Sequence, residues 1–165
     1  MQDNFDVQEA VRRSLQTEKN AMNFYLMAAR NMTGKEARRL FEILAGEERD
    51  HARQFFRLYR RDDIPNFDSF MDSISETEKK WLSVREGEVL NELGVRKAME
   101  LAMLKEQKLE EQLLRLAAKI DNPEVRAIFE ENATSTNHHY QLIESEYAHL
   151  MGMVHETDID TYVRE

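Results

Sequence analysis

One stretch of the chain combines a strict helical pattern of apolar residues with two residues that can ionise. Its inward positions alternate four and three residues apart, and they are Ala37, Phe41, Leu44, Glu48, His51, Phe55 and Leu58. This spacing puts all of them on one face and predicts a helix packed inside a bundle. Because burying an unpaired carboxylate costs several kcal/mol, the acid needs a compensating partner. A metal ion is the leading candidate for that partner.

Three other stretches have the same spacing with polar residues at inward positions. The stretch from Val11 to Met32 contains one acid, Glu18, and the stretch from Val95 to Ile120 contains one acid, Glu106. The last stretch begins at Val125 and contains His139 in a polar middle section. Only 2 prolines and 5 glycines interrupt the chain. The sequence therefore predicts an all-α protein of four long helices.

Turn signals divide these helices into two hairpins within a single domain, residues 1–165. Asp6 and Glu9 have capping-box spacing at the start of the first helix. Gly34 suits a C-terminal cap of that helix, Thr33 with Glu36 fits a capping box for the next one, and Pro123 suits the first position of the last helix. We expect hairpins at about 6–61 and 88–152, with a connector at about 62–87 and an unassigned tail at 153–165.

The connector is long for a compact bundle, which suggests that it carries the chain from one end of the bundle to the other. Pro65 ends the pattern of the second helix, and the residues after it show no clear period. Ser75 begins a capping pattern that predicts a brief helix through Leu82, with Trp81 as packing for the connector.

Composition excludes several classes of function. The net charge of -9 and the lack of a basic run argue against nucleic-acid binding. The chain has 0 cysteines, which excludes disulfides, thiolate zinc sites, iron–sulfur clusters and thiol catalysis. No apolar run approaches the roughly 20 residues that span a bilayer, and the polar N-terminus is not a signal peptide. We expect a soluble, cytoplasmic protein without a membrane partner.

The two hairpins are related by an internal repeat with a constant offset of 88 residues. Paired positions are Glu18 and Glu106, Phe41 and Phe129, Ala45 and Ala133, His51 and His139, and Tyr59 and Tyr147. A constant offset through two helices and their turn indicates one helical hairpin used twice. Glu48 has no acidic counterpart, since Thr136 occupies the equivalent position.

In a bundle of four antiparallel helices, five ionisable side chains would converge on the interior, namely Glu18, Glu48, His51, Glu106 and His139. Carboxylate oxygens with imidazole nitrogens suit iron, manganese or zinc. A single acid or histidine at such a position is usually a satisfied core residue, but five in register across four helices favour a metal site. Tyr25, on the same face as Glu18, fits plain packing or a hydrogen bond near the site equally well. Glu47 and Asp50 flank the motif and are expected to be solvated.

This arrangement resembles the ferritin-like superfamily, in which two helices each give a Glu and two give Glu-x-x-His. Within it, the segments 18–25 and 47–52 resemble the first two helices of rubrerythrin-like diiron carboxylate proteins. The resemblance covers residues 6 to about 150 and implies a ferritin-like four-helix bundle with a long crossover between its second and third helices. It also implies two iron ions, with zinc or manganese as alternatives, and a homodimer.

By the same resemblance, Glu18 and His51 would bind one metal, Glu106 and His139 the other, and Glu48 would bridge. The implied function is oxidoreductase chemistry on peroxide or oxygen, peroxidase- or ferroxidase-like, with an external electron donor. Two departures matter: without cysteine there is no rubredoxin module, and Thr136 replaces a bridging Glu. The second departure leaves an alternative open, a non-catalytic bundle that binds one metal or none and has a structural or iron-handling role.

Overall fold

The computed structural model describes residues 5–74 and 94–163, with side chains through residue 152. Its helices are α1 (Val7–Arg30), α2 (Lys35–Leu58), the short α3 (Phe67–Asp72), α4 (Gly94–Ala117) and α5 (Pro123–Val163). These two ranges contain no β-strand. The prediction of an all-α bundle of four long helices is therefore confirmed.

Two helices begin where the sequence indicates. The Asp6 side chain accepts a hydrogen bond from the Glu9 backbone N–H at 3.1 Å and caps α1. Asn122 caps α5 by accepting from the N–H groups of Glu124 and Val125, at 2.9 Å and 3.2 Å. Pro123 is the first residue of α5, where its missing N–H costs no helical hydrogen bond.

Other predicted boundaries are wrong. Asn31, not Gly34, caps the end of α1, and its side chain donates to the Met27 carbonyl at 3.0 Å. Gly34 instead precedes α2 as its N-cap, with an ordinary φ of -74° and no side-chain capping bond, so no capping box forms there. The second helix ends at Leu58 rather than near residue 61. The unassigned tail is largely a continuation of α5, which extends to Val163.

The described part of the connector, residues 62–74, contains a short helix that the sequence pattern did not indicate. Asn66 caps α3 by accepting from the Ser69 N–H at 2.8 Å. Phe67 and Met71 are buried, and Arg49 on α2 pairs with Asp68 and Asp72 at 2.9 Å and 3.0 Å. One apolar face and two ion pairs therefore hold this short helix against α2. The brief helix predicted from Ser75 to Leu82, with Trp81, lies outside the described residues.

The helices pack as two hairpins side by side. α1 lies mainly against α2 and α4 mainly against α5, while α2 with α5 and α1 with α4 join the hairpins. Phe55 and Phe129 meet edge to face across the α2–α5 contact, with ring centroids 5.0 Å apart. Tyr25 and Phe41 do the same between α1 and α2 at 5.2 Å. All four inward faces consequently line one core. No helix in the described part of the chain is long and apolar enough to cross a membrane.

Candidate metal centre

The structure brings the five predicted ligands together in the middle of the bundle. Each long helix contributes at least one of them, and none is more than 6% exposed; they are Glu18, Glu48, His51, Glu106 and His139. Three of the five, Glu48, His51 and His139, offer ligand atoms that all lie within 4.8 Å of one another. The 4-3 spacing of each helix therefore directs its ionisable side chain into the interior of the bundle.

Glu48 is central to this arrangement. Its Oε1 lies 3.0 Å from Nδ1 of His51 and 3.7 Å from Nδ1 of His139. Each histidine is also near one further acid. His51 Nδ1 lies 3.7 Å from Glu18 Oε1, and His139 Nδ1 lies 3.7 Å from Glu106 Oε1. The geometry thus gives two half-sites, each with one Glu and one His, on either side of Glu48.

Most of the inward-facing polar atoms lack a hydrogen-bond partner among the described residues. They are both carboxylate oxygens of Glu18 and of Glu48, Oε1 of Glu106, and Nδ1 of His51 and of His139. The His51–Glu48 approach of 3.0 Å is close enough for an ion pair but lacks hydrogen-bond geometry. Unsatisfied buried polar groups each cost about 1–3 kcal/mol, and more when charged. Such a cluster is expected where a ligand completes the interactions.

The electrostatics of the cluster reflect an excess of acid in a dry interior. Burial and the charge of Glu18 raise the pKa of Glu48 well above its ordinary value. Burial alone would lower the pKa of His51, but the adjacent Glu18 and Glu48 carboxylates outweigh it and raise that pKa to about 10. Without a metal, protons therefore take the place of a cation in balancing these carboxylates.

The donor set fits a divalent metal. Two ligand atoms that each lie about 2.1 Å from one ion, at roughly 90–110°, are separated by about 3.0–3.4 Å. The separations of 3.0 Å and 3.7 Å between Nδ1 and carboxylate oxygens are near this range. Oxygen and imidazole donors without thiolates suit iron, manganese or zinc. Small side-chain rotations would let each half-site hold one ion.

The outer nitrogens of the two histidines have partners that the sequence analysis missed. Nε2 of His51 lies 2.9 Å from Oγ of Ser135, and Nε2 of His139 lies 2.6 Å from Oε1 of Glu47. We expected Glu47 to be solvated. Its side chain is 43% exposed, but its carboxylate pairs with the buried His139, so the expectation misses this contact. Residues 47 and 135 are 88 apart, so the internal repeat relates the two partners to each other, although it does not indicate which side chains they contact.

Tyr25 both packs and hydrogen-bonds. It is 1% exposed, and its hydroxyl donates to Oε2 of Glu106. Burial, followed by the charge of Glu106, raises the pKa of Tyr25 well above 10. The phenol therefore keeps its proton at neutral pH. It hydrogen-bonds to one oxygen of Glu106, Oε2, while the other oxygen, Oε1, is the one near His139.

Thr136 occupies the position where the repeat would place a second central acid. It is fully buried, and its hydroxyl donates to the Asn132 carbonyl of its own helix at 2.7 Å. The hydroxyl proton is thus committed to the backbone. Asn132 donates to the Ile128 carbonyl and to Gln54, at 2.8 Å and 2.9 Å. This side of the site therefore supplies no carboxylate.

A cleft of about 230 Å³ lies between α1 and α4, and its lining residues include Tyr25, Glu106, Lys105 and Lys108. It follows the contact between the two hairpins that involves α1 and α4. One of the five site residues, Glu106, therefore borders a cleft large enough for a small polar molecule.

The family model described as Rubrerythrin matches residues 9–147 of the chain. The matched range includes all five buried residues of the site and the starts and ends of α2 and α4. No curated protein and no solved structure matches the chain.

Proposed function

The chain belongs to the rubrerythrin family, and we propose that its buried carboxylate–histidine cluster binds two iron ions and reduces peroxide or dioxygen. The observation that carries this proposal is a set of seven inward-facing oxygen and nitrogen atoms that have no hydrogen-bond partner within residues 5–74 and 94–152. They belong to Glu18, Glu48, Glu106, His51 and His139. A bundle that had no ligand for these atoms would lose stability by burying them. Metal binding by this cluster would offset the free-energy cost of burying these atoms.

Each residue has a distinct role in the proposed site. Glu18 with His51 would bind one ion and Glu106 with His139 the other, as their 3.7 Å separations suggest. Glu48 would bridge, since its Oε1 approaches both imidazoles. Two ferrous ions, when bound, supply the two electrons that reduce hydrogen peroxide to water.

The protein's own groups control access and protons. The cleft between α1 and α4 would admit peroxide to the side of the site that Glu106 lines. Tyr25 orients Glu106 by donating a hydrogen bond to it, and its hydroxyl stays protonated because its pKa is raised. Phe41, which is fully buried and packs edge to face on Tyr25, would help to keep bulk water from the site. The chain has no cysteine with which to hold a rubredoxin-type iron, so we propose that a separate protein or small molecule supplies electrons.

A second candidate function is favoured by Thr136. Three carboxylates with two imidazoles can hold one divalent ion with less repulsion than two ions would meet. In this alternative the chain binds a single ion, or none, and acts as a structural or iron-handling bundle. The homodimer, which the family resemblance implies, and the cytoplasmic location, which the composition favours, remain part of the proposal.

The test is iron stoichiometry followed by peroxide reaction. The metal-free protein is loaded anaerobically with Fe(II), desalted, and analysed for iron per chain. It is then mixed with hydrogen peroxide while iron oxidation is followed by absorbance, and finally supplied with a reductant for steady-state turnover. We expect about two irons per chain, as in dinuclear bundles of this kind, and rapid oxidation of both.

Two variants make the result specific. Glu48→Gln removes the bridging charge and should lower iron content and abolish peroxide turnover. Glu42→Gln changes an exposed acid on the same helix, 53% accessible and paired with Arg38 at 3.5 Å, and should behave as wild type. One iron or less per chain, with no oxidation by peroxide, would instead support the structural or iron-handling alternative.

A further inference from the structure

We propose that the two metal positions are unequal, and that the position at His139 binds its ion more tightly than the position at His51. The cause is the pair of groups behind the histidines: Glu47 for His139 and Ser135 for His51. The inference rests on the metal binding proposed above and adds an order of filling and a positioning role for Glu47.

The two contacts are equivalent under the internal repeat. Glu47 precedes the central Glu48 on α2, and Ser135 precedes Thr136 on α5, with the same offset of 88 that relates His51 to His139. Each residue reaches across the α2–α5 contact to the histidine of the other helix. The backbone therefore provides equivalent positions on α2 and α5. The side chain at each position determines the hydrogen bond and the charge next to Nε2 of the facing histidine.

The two side chains act differently on an imidazole. A carboxylate can only accept a hydrogen bond, so Glu47 requires the proton on Nε2 of His139 and leaves Nδ1 to face Glu48 and Glu106. A serine hydroxyl can donate or accept, so Ser135 does not fix the proton position on His51. A carboxylate behind a ligating histidine also makes the ligating nitrogen more basic. Both effects favour metal binding at His139.

The rest of the site does not offset this difference. The two rings are stacked nearly parallel, 9° apart with centroids separated by 5.3 Å. Each Nδ1 lies 3.7 Å from its own acid, and both are near the same Oε1 of Glu48. The inner geometry differs in that Oε1 of Glu48 lies 3.0 Å from Nδ1 of His51 and 3.7 Å from Nδ1 of His139, a difference that a small rotation of Glu48 would remove. The outer partners, a carboxylate and a hydroxyl, differ in charge, which no rotation changes. The first ion should take Glu48 together with His139.

The experiment titrates the metal-free protein with Co(II) under anaerobic conditions and follows the d–d absorption bands. We expect two phases, the tighter of which belongs to His139. Glu47→Gln keeps an acceptor oxygen but removes the charge, and it should weaken the tighter phase by about 10- to 100-fold, the usual effect of losing an outer partner. Asp50→Asn removes a charge from an exposed position on the same helix and should leave both phases unchanged.

Two further measurements assign the phases. His139→Ala should remove the tighter phase, whereas His51→Ala should remove the weaker one. In the one-equivalent Co(II) protein, the proton NMR spectrum should show a paramagnetically shifted, slowly exchanging Nε2–H of His139, which Glu47→Gln should move or broaden. A general loss of packing would not shift this resonance selectively, and far-UV circular dichroism checks that each variant is folded.

The outcomes separate this inference from the proposed function. Two cobalt ions bound with equal affinity, or equal effects of Glu47→Gln and Asp50→Asn, would overturn the inequality while leaving the dinuclear site intact. Loss of the tighter phase in His51→Ala rather than His139→Ala would also overturn it. Failure of the wild-type protein to bind cobalt at all would overturn both proposals.

Discussion

Replacing Glu48 by Met should stabilise the metal-free protein while removing its ability to be stabilised by metal. Glu48 is fully buried, both its oxygens lack hydrogen bonds to the described part of the chain, and burial raises its pKa. Its loss removes a carboxylate that the interior disfavours. His51 loses one partner but keeps Glu18 at 3.7 Å and Ser135 at 2.9 Å, so it does not become an isolated buried charge. Removing buried ionic groups in favour of apolar ones stabilises proteins by about 1–4 kcal/mol in comparable cases.

The order of stabilities should reverse when metal is present. An ion held at about 1,000 times its dissociation constant adds about 4.1 kcal/mol to the free energy of unfolding of the protein that binds it. The variant would forgo most of this gain because Glu48 contributes to both half-sites. A gain of about 2 kcal/mol in chelator would therefore become a comparable deficit in saturating metal.

The assay is urea unfolding followed by circular dichroism, with EDTA or with saturating Zn(II), beside the exposed control Glu42→Met. The difference in EDTA should shrink as pH falls from the raised pKa of Glu48 in the folded protein toward 4.5, the ordinary pKa of a glutamate, because below 4.5 Glu48 binds a proton in both the folded and unfolded states. A variant that is less stable than wild type in EDTA at pH 7 would refute the reasoning. That result would mean that the His51–Glu48 contact outweighs the cost of burying the acid.

Three other changes test separate parts of the structure. Thr136→Glu should tighten the binding of iron by supplying a second central carboxylate, and it should lower metal-free stability by several kcal/mol because another acid is buried; competition with a chelator and urea unfolding measure the two effects, and unchanged iron affinity would contradict it. In the metal-free protein, the raised pKa of His51 stabilises the fold fully below pH 6.5, and this contribution is lost as pH rises through about 10. Zn(II) binding needs the neutral imidazole, so it should tighten with rising pH and release protons to a weak buffer. A Zn(II) affinity that does not depend on pH would count against this prediction. Phe129→Ala should cost about 3–5 kcal/mol, since Phe129 is fully buried against Phe55, whereas Leu104→Ala, at a position 46% exposed, should cost far less; equal losses in urea unfolding would refute the packing argument.

The helix pattern in the sequence was sufficient to predict the bundle and its ionisable interior. A helix has a fixed period, so apolar residues four and three apart identify the buried face without knowledge of the partners. Glu18, Glu48 and Glu106 lie on those faces, and all are buried as predicted. The family match over residues 9–147 agrees with the resemblance drawn from the same residues. Single domain organisation, iron and redox activity stay predictions.

Contacts across helices were decided only by the tertiary structure. Glu47 lies beside the inward-facing positions of α2, and no neighbouring residue in the sequence indicates that it contacts His139. That contact depends on how far α2 and α5 are rotated toward each other. The same holds for Ser135, whose contact with His51 also depends on how α2 and α5 pack. The short helix α3 was missed because six residues contain too little period to detect, and its stability comes from packing on α2 and from Arg49.

The sequence by itself thus determined which faces are buried and which ionisable groups they bring to the interior, since both follow from local periodicity. The tertiary structure decided which atoms meet: the central place of Glu48, the Tyr25–Glu106 bond and the unequal partners of the two histidines. Periodicity fixes the direction of a side chain to within a fraction of a helical turn. A hydrogen bond requires its atoms to be placed within a few tenths of an ångström, which only the packing of all four helices can do.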